Sequence, residues 1–339
     1  MKSQIPNILA RALRSFFSEH LPQLRGMSMH TIKSYRDSLV LLLRFVATHS
    51  GRETATLEVD DITTDEVITF LNHLEIERHN IPTTRNVRLA AIHAFFRYVA
   101  AQYPDRLYQC QKLLGIPFKR ARSRIVEYFE FEELQVVLSM IDRTTCNGRR
   151  DYALLAIMFN TGARVQEILN LRAQDLQLSK PFQVRLFGKG RKERFCPLWL
   201  QTAEVLKTFC KENKIDIPSF SLIFLNHNGQ PLTRFGVRYI LRKYHELAKK
   251  HAPSLANKRL HPHSMRHSTA IHLLKAGVDL VTISHWLGHA SINTTNKYAT
   301  IDLDMKRKAL ARTSTFEKKT QILPSWRSNA TILDWLEGL

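Results

Sequence analysis

The stretch Leu260-His261-Pro262-His263-Ser264-Met265-Arg266-His267 decides the reading of this chain. It opens a helical segment, Ser264 to Ala276, and sets a histidine and an arginine at short spacing. The doubled start, His261-Pro-His263, allows two registers, and the spacing to Arg266 favours His263. Upstream, Arg164 follows the turn Thr161-Gly162-Ala163, and Lys189 lies between Gly188 and Gly190. Downstream, Leu287-Gly288 leads into His289, and Tyr298 follows nine residues later. The order of these six residues carries more information than any one of them.

Around that set the chain reads as two domains, as its 339 residues suggest. Apolar residues recur at helical spacing over Ile8 to Phe17, from Ile32 through Val46 with Ser28 as a cap, over Val67 to Leu74 after Thr63-Thr64-Asp65, and from Val87 to Val99. The spacing predicts a helical bundle over 1–113. Leu114 to Arg124 packs Gly, Pro and four basic residues into eleven positions and reads as an extended basic linker over 114–125. Over 126–312, helices are expected at Glu130 to Leu138, Arg150 to Phe159 and Val165 to Leu171. A strand at Phe182 to Phe187, a turn over Gly188 to Lys192 and a returning strand at Glu193 to Leu198 come next. Four helical stretches then lead to Tyr298, so this domain is mainly α with a small sheet. A tail over 313–339 ends in the apolar stripe Ile332, Trp335, Leu336 and Leu339, which calls for a docking surface on a neighbouring protomer or on its own domain.

Fifty Lys and Arg against thirty Asp and Glu give a net charge of +20 and point to a polyanionic partner, with nucleic acid first. No stretch approaches the ~18 uncharged apolar residues of a membrane span, and the first residues lack a secretory signal, so a cytoplasmic protein is expected. Cys110, Cys146, Cys196 and Cys210 are far apart and read as reduced, mostly structural thiols. Arg85, Arg88 and Arg97 on the last bundle helix, and Lys119, Arg120, Arg122 and Arg124 in the linker, suit contacts to a phosphate backbone. Ordinary solvated faces explain them too.

With its Arg, Lys, His-x-x-Arg, His and Tyr motifs in this order, the chain resembles a tyrosine recombinase of the phage integrase family, over roughly Met27 to Leu310. The resemblance implies a helical core-binding domain of SAM-like fold followed by a mixed α/β catalytic domain. It also implies site-specific DNA strand exchange through a covalent 3′-phosphotyrosyl intermediate and a Holliday junction. Tyr298 would be the nucleophile, Lys189 the proton donor to the departing 5′ oxygen, and His289 a phosphate ligand. A homodimer on one double-stranded DNA site and a homotetramer at synapsis would follow, without a membrane. The helical bundle begins within the first few residues, so the likeness is to chromosome-resolution or transposon-encoded members rather than to arm-binding ones.

The residue types suit that chemistry on their own terms. Charge builds on the nonbridging phosphate oxygens during attack, and a planar guanidinium can bridge two of them; Arg164 and Arg266 fit that clamp. Glu167 would orient Arg164, although a plain surface pair at i,i+3 reads equally well. A phenol needs nearby cations and a proton acceptor to attack at neutral pH, and His263 is the candidate acceptor or a phosphate ligand. Lys189 is favoured over Lys192, with Arg191 and Lys192 as backbone contacts. The cluster of His261, His263 and His267 lacks the companions of a zinc site, and neither a nucleotide-binding loop nor grouped carboxylates are present, so no metal, ATP or other cofactor is expected. A catalytically silent DNA-binding regulator and a type IB topoisomerase-like nicking-closing enzyme are the alternatives.

Overall fold

Local caps and apolar spacing account for most of the helices. In a computed structural model, which describes residues 7–121, 126–188, 192–289 and 291–299, the chain divides into two units, Met1–Arg124 and Ile125–Leu339. In the first, α1 (Ile8–Ser15) starts where the Asn7 side chain accepts from the Ala10 N–H, and it runs on as a wider π-helical turn over Phe16–Leu24 that contains Pro22. The missing proline N–H suits a turn whose hydrogen bonds are already out of α register. α2 (Met29–Ser50) is capped by Ser28 and ends at Gly51 in the left-handed region, while α3 (Thr64–Ile76) is capped by Thr63. α4 (Pro82–Gln102) and α5 (Leu107–Leu114) complete the unit, with His93 on α4 bonded to the Leu113 carbonyl at 3.1 Å. Phe16, Leu42, Phe70, Leu89, Phe95 and Phe96 meet in its core.

The described part of the segment after α5, expected as an extended basic linker, is held on this first unit. Ile116 is buried, Asn86 exchanges two hydrogen bonds with the backbone of Lys119, and the Lys119 Nζ reaches Glu75 at 2.8 Å. Its lysine charge is thus engaged by a carboxylate.

The second unit begins with α6 (Phe131–Ser139), α7 (Cys146–Thr161) and α8 (Val165–Leu169). A three-stranded antiparallel sheet in the order β1 (Leu176–Gln177), β2 (Gln183–Phe187), β3 (Glu193–Pro197) follows. Val184, Leu186 and Cys196 alternate inward, and the Gly188 N–H donates to the Lys192 carbonyl at 2.7 Å across the hairpin. α9 (Leu200–Glu212), α10 (Arg234–Ala248), α11 (Pro262–Lys275), α12 (Leu280–Leu287) and α13 (Asn293–Ala299) complete the described part. Leu154, Leu155 and Met158 of α7 pack in one core with Leu206 of α9, Leu241 of α10 and Phe224 from the segment between those helices. The fold is therefore mainly α with a small sheet. No described helix is long and apolar enough to cross a membrane.

Candidate active site

Two helix ends converge where the arginines sit. α7 stops at Gly162 (φ +58°), where a Cβ would fall 2.5 Å from Leu287 Cδ2, so only glycine fits both the turn and the contact. α12 stops at Gly288 (φ +64°). The last carbonyls of a helix lack intrahelical donors and carry the negative end of its dipole, so they attract cations. Arg266 donates to Gly162 O at 2.8 Å and to Leu287 O at 2.7 Å, and Arg164 donates to Gly288 O at 3.3 Å. Arg266 is 1 % exposed, and burial together with the charge of Arg164 lowers its pKa to about 10, so it stays charged at neutral pH.

A carboxylate knits this cluster. Arg164 stands at the N-cap of α8 with extended backbone rather than inside a helix, and its N–H donates to Glu167 Oε2 at 3.0 Å. Its Nη1 reaches Glu167 Oε1 at 2.8 Å, while Arg194 from β3 donates through Nη2 to Oε2 at 2.7 Å. Burial opposes ionisation of Glu167, but the bond and charge of Arg194, followed by the contacts of Arg164, hold its carboxyl below the usual range. The Arg164–Glu167 contact is an i,i+3 pair, but with Glu167 buried it is not a plain surface pair. Arg194 was not singled out from the sequence. Its signal lay in strand alternation, because the position two residues before buried Cys196 points the same way, and an inward charge demands a partner.

The helical repeat of α11 sets His263, Arg266 and His267 on one side. The sequence reading leaves His263 as proton acceptor or phosphate ligand and names His267 only within the histidine cluster, whereas here the Tyr298 hydroxyl pairs with His267 Nδ1 at 2.8 Å. The His263 ring lies 4.7 Å from that of His267. One helical turn explains the difference: His267, four residues after His263, is buried on the side facing α13. Tyr298 is fully buried, and burial pushes its pKa up to about 12 against the charge of Arg266. His267 is pushed down to about 3 by burial, then by Lys297. His289, bonded to Thr295 Oγ1 at 2.7 Å, is pushed down to about 3 by burial, then by Arg266 and Arg164. His263 is lowered to about 4 by desolvation, then by Arg266 and Lys297.

Lys189 and Arg191 lie outside the described residues, as do Arg122, Arg124 and the tail over 313–339. Lys192 is exposed at the hairpin end. In the first unit, Arg97 and Arg120 are exposed, and Arg88 is half-buried with a bond to Ser38. Arg85 is buried, 3.9 Å from Glu75, and is turned inward rather than presented to a backbone.

The model of the Phage integrase family matches residues 127–304, and that of the Phage integrase N-terminal SAM-like domain matches residues 15–103. The putative integrase/recombinase y4rC of Sinorhizobium fredii is 38% identical over 331 residues, covering 98% of each chain. Tyrosine recombinase XerD of Listeria monocytogenes is 32% identical over 281 residues, 81% of this chain and 89% of that one. Among solved structures, XerH site-specific recombinase bound to its palindromic difH substrate aligns with a TM-score of 0.67 at 23% identity, covering 87% of this chain and 82% of that one. The Tn1549 transposon integrase in complex with transposon right-end DNA gives 0.66 at 18% identity, covering 88% and 98%. These two likenesses concern the fold.

The depressed histidines set a pH dependence. An unfolded chain protonates histidine as pH falls through about 6.5, while His267 and His289 in the fold resist until about 3. The unfolded state therefore binds more protons between those limits, and stability falls with decreasing pH, by up to ~1.4 kcal/mol per pH unit for each ring. The melting temperature is expected to drop steadily from pH 7 to pH 5, and His267→Asn to make that dependence shallower. A melting temperature that is flat over this range, or a variant as steep as the native chain, contradicts the account.

Proposed function

The chain belongs to the phage integrase family, and from that premise we propose that it is a site-specific tyrosine recombinase that cuts, exchanges and rejoins double-stranded DNA in the cytoplasm through a covalent 3′-phosphotyrosyl intermediate and a Holliday junction. The observation that carries this reading is the convergence of Arg164 and Arg266 on the last turn of α12, with Tyr298 and His267 paired on the adjoining elements. The domains assigned are a helical DNA-binding part before the basic segment and a catalytic part after it.

In the proposed reaction, the Tyr298 oxygen bonds to phosphorus as its proton passes to an imidazole, with His267 already in place and His263 beside it. The bond from phosphorus to the 5′ oxygen breaks, and that oxygen leaves with its electron pair and takes a proton from Lys189. Arg164 and Arg266 donate to the nonbridging oxygens, where negative charge gathers. Among the described residues, Arg266 spends two of its five N–H donors on carbonyls and keeps others for the phosphate. His289 adds a further contact. Because Tyr298 is buried, its ring must turn outward to reach the DNA. The phosphotyrosyl ester conserves the energy of the broken bond, so a 5′ hydroxyl from a partner strand reverses the step without ATP, and no step needs a metal ion.

The nucleophile is tested with a nicked duplex bearing the sequence that the native chain selects from a random pool. The native chain is expected to form a trapped covalent adduct and Tyr298→Phe none; adduct formation by the Phe variant removes Tyr298 from the reaction. Exchange between two marked copies of that sequence separates recombination from nicking and closing.

On the same substrate, Arg266→Ala is expected to slow cleavage by roughly 10²–10³ with DNA affinity retained, as for loss of one preorganised donor. Equal loss of affinity and cleavage would make Arg266 a binding contact only.

Assembly as a dimer on one site and a tetramer at synapsis, with the apolar stripe of the tail docked on a neighbouring protomer, completes the proposal. Deletion of 328–339 is expected to spare single-site binding and reduce synapsis, measured by gel mobility; unchanged recombination by the truncated chain refutes the docking.

A further inference from the structure

Arg194 has no place in the reaction as written, yet it joins three parts of the site. It lies on β3 opposite Leu186, and its side chain is only 11% exposed. Nη2 donates to Glu167 Oε2 at 2.7 Å, and Nε donates to the Trp286 carbonyl at 2.9 Å. The side chain also closes on Gly288, where a Cβ would come within 3.0 Å of Nη1, 3.2 Å of Cδ and 3.3 Å of Cζ. Gly288 is the residue whose carbonyl receives Arg164, and its neighbour Leu287 receives Arg266. One rigid fork thus ties the strand leaving the hairpin tip to the carboxylate that grips Arg164 and to the turn that holds both arginines.

Charge makes this placement matter. Glu167 offers one oxygen to each arginine, so the trio Arg164, Glu167 and Arg194 keeps one net positive charge for an incoming phosphate. Without Arg194 the buried carboxylate has Arg164 as its remaining arginine, that pair is neutral, and Arg164 is drawn toward Glu167 instead of the substrate. Building on the recombinase reading above, we propose that Arg194 is a positioning residue for this reaction: it satisfies Glu167 and fixes the α12 turn, so that Arg164 is free to neutralise the reacting phosphate, and it touches no substrate itself. Lysine would restore the charge but cannot span the Glu167 carboxylate and the Trp286 carbonyl together, since its ammonium is a single point donor.

The test is single-turnover cleavage of the nicked selected duplex by the native chain, Arg194→Lys, Arg194→Met, Arg164→Ala and the double variant Arg194→Met/Arg164→Ala, with DNA affinity and thermal melting measured alongside. Arg194→Met is expected to slow cleavage by about 10²-fold and Arg194→Lys by about tenfold, with affinity within about threefold of native. Because Arg194 acts through Arg164, the double variant should be no more than about threefold slower than Arg164→Ala alone. If Arg194→Met does not fold, Arg194→Lys decides, since it keeps the charge. Native cleavage by the lysine variant, losses that simply multiply in the double variant, or a fall in affinity that matches the fall in rate overturns the proposal. Absence of a Tyr298-linked adduct from the native chain overturns the recombinase reading itself and is seen before any variant is compared.

Discussion

Holding like charges together is the constraint on which the arginine cluster of the second unit depends. Two guanidiniums about 4 Å apart repel by roughly 4 kcal/mol at the effective dielectric of a protein surface, and here Arg164, Arg194 and Arg266 share one region. The fold offsets that repulsion with a single buried carboxylate, Glu167, and with the carbonyl ends of α7 and α12. Both helices end at glycines with positive φ, which lets their final carbonyls turn toward the cations. The arginines are thereby organised in advance, and little reorganisation remains for the moment of reaction.

The same cationic field sets the state of the remaining groups. His267 and His289 are held neutral by burial and by nearby cations, so they add nothing to the repulsion and can accept protons. Tyr298 is kept protonated by burial, with its hydroxyl already paired with His267 Nδ1. A phosphate entering the cluster brings negative charge, which raises the histidine pKa values and stabilises the imidazolium that proton acceptance creates. In the proposed reaction, substrate binding and activation of the tyrosine would in this way be electrostatically linked.

What could be read from the sequence was local. Ser28 and Thr63 announce the starts of α2 and α3 because a cap and its helix are neighbours in sequence, and the alternation over Phe182 to Phe187 announces β2. α9 begins after Trp199 without a side-chain cap, and β1 is two residues that exist only through pairing with β2, so neither had a local signature. At the site, the motifs pointed to Arg164, Arg266 and Tyr298, and the structure brings the two arginines together on one helix end. The partners escaped notice because they are distant: Arg194 meets Glu167 across 27 positions and His267 meets Tyr298 across 31. An inward-facing arginine two residues before a buried cysteine was the one hint available.

The central claim, that fixed arginines neutralise a phosphorane formed on Tyr298, is tested most directly by a crystal structure of the chain on its selected nicked duplex with orthovanadate in place of the scissile phosphate. The account predicts vanadium bonded to the Tyr298 oxygen, Arg164 and Arg266 within hydrogen-bonding distance of its equatorial oxygens, and Glu167 still shared by Arg164 and Arg194. A vanadate bonded to another side chain, or one that leaves both arginines on their carbonyls and carboxylate without touching it, would contradict the account.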